Sequence, residues 1–312
     1  MRFSAAPSVA SRLAIAVASE PERAHASSGA MPAGAREDAL RHLLQTAADA
    51  GCTTVATRPE GDNERLLGQA WPFPSPFTVT VRTVPLSDGL DRLEARARRS
   101  LERMGLPRGE TLLVSNPADL AGVEGRALWD RLTALKTRGL YRKIGFCATV
   151  EDGPDLLARR FQPDVVQIPC NLLDQRAEQD GTLEALAAQG VEIHTAAPFV
   201  SGLLFMAGDV LPPEFADYAP ALSRARRRLA EARIDPMQAA LSYALNLPGV
   251  TSVIASAASA AELRAMLAAA HAPRPNIDWA ALALPQAADL SRTMHGAGRS
   301  PLDDFSRISS AA

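Results

Sequence analysis

Lysine and tyrosine are scarce in this chain of 312 residues, and their positions exclude some kinds of chemistry. The only lysines are Lys136 and Lys143, so arginine supplies almost all of the basic side chains. The tyrosines are Tyr141, Tyr218 and Tyr243. Neither type occurs before Lys136, so the preceding segment cannot contribute a phenol or an ammonium group to a site.

Cysteine is also rare, and its spacing excludes the usual cysteine-based frameworks. Cys52, Cys147 and Cys170 are odd in number and form neither a Cys-x-x-Cys motif nor a Cys/His pattern. This favours a reducing compartment and argues against a disulfide framework or a zinc site. We therefore expect a cytoplasmic protein without a bound metal.

Long apolar runs and a strong net charge are absent as well. The net charge of -2 provides no basic surface for nucleic acid or for anionic membrane. The apolar run from Leu13 to Ala18 is too short for a secretory signal or a membrane span, and we interpret it as a first β-strand. A hydrophobic content of 47% is enough for a sizeable core in one large domain or two smaller ones.

Helical patterns alternate with short apolar runs along the chain, and this alternation predicts the fold class. We expect further strands at 52–57, 77–84, 111–114, 141–146, 164–168, 191–196 and 250–255. We expect helices at 35–50, 62–71, 88–104, 123–138, 151–160, 180–189 and 259–270, and one that begins at Asp235-Pro236 and runs to about Leu247.

Eight strand–helix units over about 250 residues predict an α/β fold of the (β/α)8 TIM barrel type. A doubly wound sheet is the alternative, but it would usually need fewer units or a second domain. We assign residues 1–295 to a single barrel. Within it, residues 19–34 are predicted to form a flexible loop, and residues 296–312 a disordered tail.

Several segments, in the right order, resemble the aldo/keto reductase family. They are Trp129–Gly145, Asp164–Leu173, Gly190–Leu204 and Val253–Leu263. The third of these, together with Leu172-Leu-Asp-Gln-Arg176, is most similar to a bacterial branch associated with surface-glycan biosynthesis. The resemblance implies an NADPH-dependent oxidoreductase barrel.

The same resemblance implies a catalytic tetrad of Asp, Tyr, Lys and His, and this chain departs from it at every position. Thr54–Gly68 aligns in frame with the family's strand 2 region. It has Val55 where the Asp is expected and Glu60 where the Tyr is expected. Arg82 replaces the Lys, and Ser115 replaces the His. A carboxylate beside Arg82 stays ionised at neutral pH, so Glu60 is a poor substitute for a phenolic acid.

The positions that hold the cofactor in the family are also altered. Gln167 matches the glutamine that binds the nicotinamide carboxamide. Cys147 and Ala148 replace a Ser-Asn pair, and Ala196 replaces the ring that stacks on the nicotinamide. Where the family binds the 2′-phosphate and adenine, the chain has Ser256, Ala257, Glu262 and Met266. The loss of cations and the gain of a carboxylate predict weak binding of NADPH.

Some of these residues have more than one interpretation. Gln167 is either a remnant of cofactor binding or a satisfied polar residue of the core. Glu60 and Arg82 are expected to form an ion pair at the barrel mouth, structural rather than functional. Cys147 or Cys170 would need a base such as His194 to act as a nucleophile, but small buried cysteines are far more common.

Two further features concern the surface and the overall function. The arginine run at 224–228 is interpreted as a solvated helix face, with phosphate binding as the alternative. We expect a non-reducing barrel, a pseudoenzyme that binds an unknown small molecule at its mouth, in glycan metabolism. The alternatives are a divergent NAD(P)-dependent oxidoreductase with another proton donor, or a different chemistry that uses Glu60, Arg82 or the cysteines.

Overall fold

The computed structural model describes residues 8–17, 33–206, 211 and 213–284. Within these residues, eight parallel strands close into a barrel in the order β1 to β8. The strands are β1 Leu13–Val17, β2 Thr54–Thr57, β3 Thr78–Arg82, β4 Gly109–Val114, β5 Tyr141–Cys147, β6 Val165–Pro169, β7 Glu192–Ala196 and β8 Val250–Ala257. The predicted (β/α)8 fold is confirmed.

Helices surround the barrel. They are α1 Ala33–Asp49, α2 Asn63–Ala70, α3 Leu90–Arg103, α4 Gly125–Thr137, α5 Pro154–Phe161, α6 Thr182–Ala188, α7 Ala219–Glu231, α8 Pro236–Leu245 and α9 Ala260–His271. Short helical turns lie at Val9–Arg12, Leu86–Asp88, Ala118–Ala121, Val150–Asp152, Arg176–Gln179, Val200–Gly202, Pro213–Tyr218 and Ala280–Leu282.

The helix boundaries follow local chemistry. Asp235 caps α8, because its carboxylate accepts hydrogen bonds from the backbone N–H groups of Met237 and Gln238. The helix predicted from residue 151 begins instead at Pro154, whose fixed φ suits a first helical position. A 3₁₀ turn occupies the residues before it.

The predicted loop and tail fall largely outside the described residues. Of the loop at 19–34, only residues 33 and 34 are described, and they already belong to α1. The loop therefore ends earlier than predicted. The tail at 296–312 lies wholly outside the described residues, as do residues 285–295 of the predicted barrel domain.

The main apolar core fills the layer between the barrel and the helices. Ile15, Val55, Val79 and Val81 belong to this layer together with leucines of the surrounding helices. Inside the barrel, β5 and β6 approach very closely at Gly145. A Cβ atom on Gly145 would lie 1.8 Å from the carbonyl oxygen of Val165, so only glycine fits there.

Candidate active site at the barrel mouth

Alternation along the strands identifies the side chains that face the barrel interior. Ala14, Ala196 and Ile254 form an apolar cluster of their own, with Ala16 and Ala56 packed against it. Leu113, Cys147 and Val165 form a second small cluster. Neither cluster belongs to the layer under the helices, so these residues line the inside of the barrel.

The strand register orders these inward-facing residues into layers, as in other barrels of this type, where each layer takes four side chains from alternate strands. We call the two layers nearest the carboxyl ends of the strands the mouth cup. Its upper layer is Ala16, Arg82, Cys147 and Ala196. Its lower layer is Ala56, Leu113, Gln167 and Ile254.

Val55 faces away from this cup. It is fully buried in the layer between the barrel and the helices, and it pairs with Ile15 and Val79, which share that layer. The inward-facing neighbour on β2 is Ala56. The sequence alignment placed Val55 at the position of the family's aspartate. In the fold, however, the residue that faces the interior is Ala56, one position further along β2.

Arg82 faces into the mouth cup and is half-buried. Glu60 lies beyond the end of β2, in an exposed turn next to Gly61, which has a φ of 69°. The predicted ion pair between them is not formed. Among the described residues, neither side chain has a hydrogen-bond or ion-pair partner. The turn holds Glu60 in solvent while strand alternation turns Arg82 inward.

Ser115 follows β4 and joins the ends of two strands. Its hydroxyl donates a hydrogen bond of 2.6 Å to the carbonyl oxygen of Thr83, and its backbone N–H donates to the Thr83 hydroxyl at 3.2 Å. The proton of this hydroxyl is therefore already donated in a hydrogen bond to the backbone. Ser115 therefore serves the strand connection at the position where the family has its histidine.

The tyrosines lie away from the mouth cup. The Tyr141 hydroxyl, at the start of β5, donates to the carbonyl oxygen of Ala97, and burial raises its pKa. The Tyr243 hydroxyl donates to Glu178 at 2.5 Å on the helical layer, and burial likewise raises its pKa. Tyr218 packs against the outer apolar core.

Both lysines are engaged in ion pairs elsewhere. The Lys136 ammonium on α4 lies 2.6 Å from the Asp164 carboxylate. The Lys143 ammonium, near the start of β5, lies 2.7 Å from Glu192 and 3.4 Å from Glu110. The starts of the strands form the end of the barrel opposite the mouth. No lysine of this chain therefore reaches the mouth cup.

Gln167 and Cys147 are neighbours in the cup, paired in register across β5 and β6. The Gln167 residue is only 4% exposed, and its side-chain amide has no hydrogen-bond partner among the described residues. Burial raises the pKa of the Cys147 thiol, while the positive charges of Arg82 and Arg58 act in the opposite direction. Beside them, Ala196 is 7% exposed and presents only a methyl group.

The turn from β8 into α9 is closed by its own side chains. Ser259 caps the helix by accepting a hydrogen bond from the backbone N–H of Glu262. The Glu262 carboxylate accepts from the backbone N–H of Ala258 at 2.7 Å. Ser256 is exposed, while Met266 is fully buried in the outer core and cannot contact a ligand at the turn. A carboxylate thus occupies a helix start that would suit a phosphate.

The two candidate cysteine–histidine pairs are not formed. His194 lies with its Nε2 atom 3.0 Å from Glu192, and no hydrogen bond joins it to Cys147. Its Nδ1 atom is buried without a partner among the described residues. Cys170 lies outside the barrel beside Tyr243, and burial raises its pKa to about 12. These positions favour structural roles for the thiols.

The segment Leu172–Arg176, which suggested the glycan-associated branch, builds a turn after β6. Asp174 is 3% exposed and pairs with Arg176 at 2.7 Å. The Gln175 amide donates to the carbonyl oxygens of Leu172 and Trp279, which ties this turn to the C-terminal part of the described chain. The polar side chains of Asp174, Gln175 and Arg176 therefore make contacts within the protein that stabilise this turn.

The surface offers two further charged regions. In the arginine run on α7, Arg226 donates to the carbonyl oxygen of Leu222 and Arg228 to that of Ala281. An open groove of about 740 Å³ lies between α3 and α4 on the outer helical layer. Glu94 pairs there with Arg131 at 2.7 Å and Arg138 at 2.8 Å, so its charges are mutually satisfied.

Metal-ligand clusters and membrane-spanning helices are both absent from the described residues. There, no group of three or more His, Cys, Asp or Glu side chains is placed to hold a metal ion. No helix in that part of the chain is long and apolar enough to cross a membrane.

Comparison with solved structures identifies aldo/keto reductases of the same fold. One is an aldo-keto reductase from Bacillus halodurans in its holo form, with a TM-score of 0.67 and 17% identity over 87% of this chain and 90% of that one. Another, from Pseudomonas aeruginosa, is described as a candidate aldo-keto reductase; it has a TM-score of 0.58 and 21% identity over 83% and 89% of the two chains.

Sequence comparison gives the family. No curated protein matches the chain. A profile of the aldo/keto reductase family does match, and it covers residues 28–283, which include β2 to β8 and the whole turn into α9. Together with the closed eight-stranded barrel, this match shows that the chain belongs to the aldo/keto reductase family.

Proposed function

We propose that this barrel no longer reduces carbonyls and instead binds a small ligand in its mouth cup. The observation that supports this most directly is that the cup contains neither a phenol nor an ammonium group. Every tyrosine and lysine of the chain lies elsewhere in the fold. Hydride addition to a carbonyl builds an alkoxide, which needs a proton donor beside it.

The groups that are present at the mouth do not replace the missing acid. Glu60 is exposed to solvent and does not share a hydrogen bond with any described residue, so no contact holds it beside a carbonyl in the cup. The Ser115 hydroxyl is bound to a backbone carbonyl. Arg82 stays charged and donates no proton at neutral pH.

The family generally binds NADP(H), and the residues here fit that cofactor poorly. At the final turn, Glu262 occupies the helix start and Met266 is buried in the core. From Ser256 to Glu262 no side chain is positively charged, and Ala196 provides no ring for the nicotinamide. Only Gln167 keeps the family's residue type, in an inward-facing position.

Gln167 also supports the second candidate, a divergent NAD(P)-dependent oxidoreductase acting on a carbonyl or sugar. The residue is 4% exposed, and its amide has no hydrogen-bond partner among the described residues, so it is available to bind a carboxamide. This candidate requires a proton donor from outside the tetrad. We prefer the ligand-binding function because the acidic proton that the cup offers is that of the Cys147 thiol, a weak acid whose pKa is raised by burial.

The test is a turnover assay with a broad aldehyde and ketone panel and with both nicotinamide cofactors. We expect no reduction above background, since loss of a general acid alone typically costs about 10²- to 10⁴-fold in rate. A variant that combines Ala56→Asp, Glu60→Tyr, Arg82→Lys and Ser115→His is the matched comparison. Robust turnover by the unmodified protein, abolished by Glu60→Ala, would overturn the proposal.

Two broader assignments belong to the same proposal. The sequence similarity of the β6 and β7 regions to the glycan-associated branch supports a role in glycan metabolism. Such a role fits a binding site for a small polar metabolite. The three cysteines are buried free thiols, which supports a cytoplasmic location.

A further inference from the structure

The mouth cup combines two polar side chains without partners and a wall of small residues. Arg82 is half-buried and Gln167 is 4% exposed, and neither side chain has a partner among the described residues. The other members of the upper layer are Ala16, Cys147 and Ala196. In packed barrels such positions usually carry bulky branched side chains, whereas here three of the four are small.

The charge at this position has no counterion among the described residues. A half-buried guanidinium loses part of its hydration, and this loss is offset only when an anion or hydrogen-bond acceptors approach it. Glu60, the acid that was expected to pair with it, is exposed to solvent. The charged groups that act on the neighbouring Cys147 thiol are Arg82 and Arg58, both positive.

We propose that the mouth cup binds a small oxyanion, with Arg82 as its charged partner and Gln167 as a second contact. The planar guanidinium of Arg82 matches the paired oxygens of a carboxylate or phosphate group. The Gln167 amide both donates and accepts hydrogen bonds, so it suits a hydroxyl or carbonyl next to the anion. Leu113 and Ile254 form an apolar floor. A short hydroxycarboxylate has this combination of groups.

This inference rests on the proposed ligand-binding function and specifies the charge of the ligand. The probes are glycolate and its neutral isostere glycolamide, with inorganic phosphate as a second anion. Each is titrated by calorimetry at constant ionic strength. We expect glycolate or phosphate to saturate one site, and glycolamide to bind at least about tenfold more weakly, as one charge-assisted contact is lost.

Variants assign the effect to the cup. Arg82→Gln is expected to weaken anion binding by about tenfold or more, and Gln167→Leu to weaken it by a smaller factor. Arg142→Gln is the control, because Arg142 is an exposed arginine at the start of β5, on the opposite end of the same barrel. Thermal unfolding establishes that each variant is folded before its titration is interpreted.

The outcomes separate this inference from the proposed function. If glycolate and glycolamide bound equally well in the cup, the proposed ligand-binding function would stand, but the proposed preference for an oxyanion would be wrong. Anion binding that Arg82→Gln leaves unchanged, or no binding of either anion, also overturns it. Carbonyl turnover is measured independently, so reductase activity would reject the proposed function without deciding which charge the cup prefers.

Discussion

The carboxylate of Glu262 accepts a hydrogen bond from the backbone N–H of Ala258, with Oε2 and N 2.7 Å apart. Glu262 therefore neutralises the positive end of α9 from within the chain. In a barrel that holds a dinucleotide phosphate at this helix start, the same N–H group would be free for the ligand.

We expect NADPH to bind weakly or not at all, because a carboxylate occupies this turn. Fluorescence titration should give no saturation in the low micromolar range. Glu262→Arg should tighten NADPH binding by about ten- to a hundredfold, the effect of one charge-assisted contact.

NADH provides the control for this prediction, since it lacks the 2′-phosphate and should gain little from the same substitution. The variant also loses the Glu262 contact with the Ala258 N–H, while Ser259 still caps the helix. Tight NADPH binding by the unmodified protein would contradict the interpretation of the turn.

The directions of Val55 and Ala56 predict opposite responses to the same new side chain. Val55→Asp puts a carboxylate into the dry layer between barrel and helices, so we expect a loss of several kcal/mol out of the about 5–15 kcal/mol typical of a domain. Ala56→Asp puts it in the mouth cup, where Arg82 can pair with it, and should cost much less. Urea unfolding measures both, with Val55→Ala as the control for lost apolar contact.

If Ala56→Asp were the more damaging of the two substitutions, the assignment of the inward face of β2 would be wrong. The comparison also bears on restoring activity. Of the two positions, 55 and 56, only residue 56 would direct an aspartate into the cup that contains Arg82.

Glu192 predicts a pH dependence of stability. Its bond with His194 and its ion pair with Lys143 lower its pKa to about 2, from an ordinary value of 4.5. Because the folded-state pKa lies below the unfolded one, Glu192 stabilises the fold above about pH 4.5, and this contribution is lost as the pH falls toward 2. Glu192→Gln should lower stability at neutral pH and flatten its dependence between these values.

The measurement is urea unfolding at a series of pH values. Glu102→Gln is the control, since Glu102 is exposed on α3 and forms no ion pair with a described residue. A Glu192→Gln variant that keeps the full pH dependence of the parent between pH 2 and 4.5 would contradict the role of this carboxylate.

The cysteines are expected to react slowly in the native state. Burial raises the pKa of Cys52 to about 11 and that of Cys170 to about 12, and it also raises that of Cys147. Little thiolate is therefore present at neutral pH, and access is restricted. A thiol reagent should modify almost none of them until denaturant is added. Rapid native labelling of Cys147 would instead indicate an activated thiol.

The family and the fold could be predicted from the sequence, because both depend on patterns that are local in the chain. Strand and helix periods, glycine stops and the Asp235-Pro236 helix start each act over a few residues. Eight such units leave few alternatives to a closed parallel barrel. The scarcity of tyrosine and lysine also limits the available chemistry, whatever the fold.

What only the tertiary structure decided is where each side chain points. A strand turns alternate residues to opposite sides, so a one-residue difference separates Val55 under the helices from Ala56 in the cup. The predicted pairing of Glu60 with Arg82 depended on a turn whose direction sequence spacing does not specify. Arg82 and Gln167 share the mouth cup only because β3, β5 and β6 close into one barrel, and their heights in it depend on the register between strands far apart in the chain.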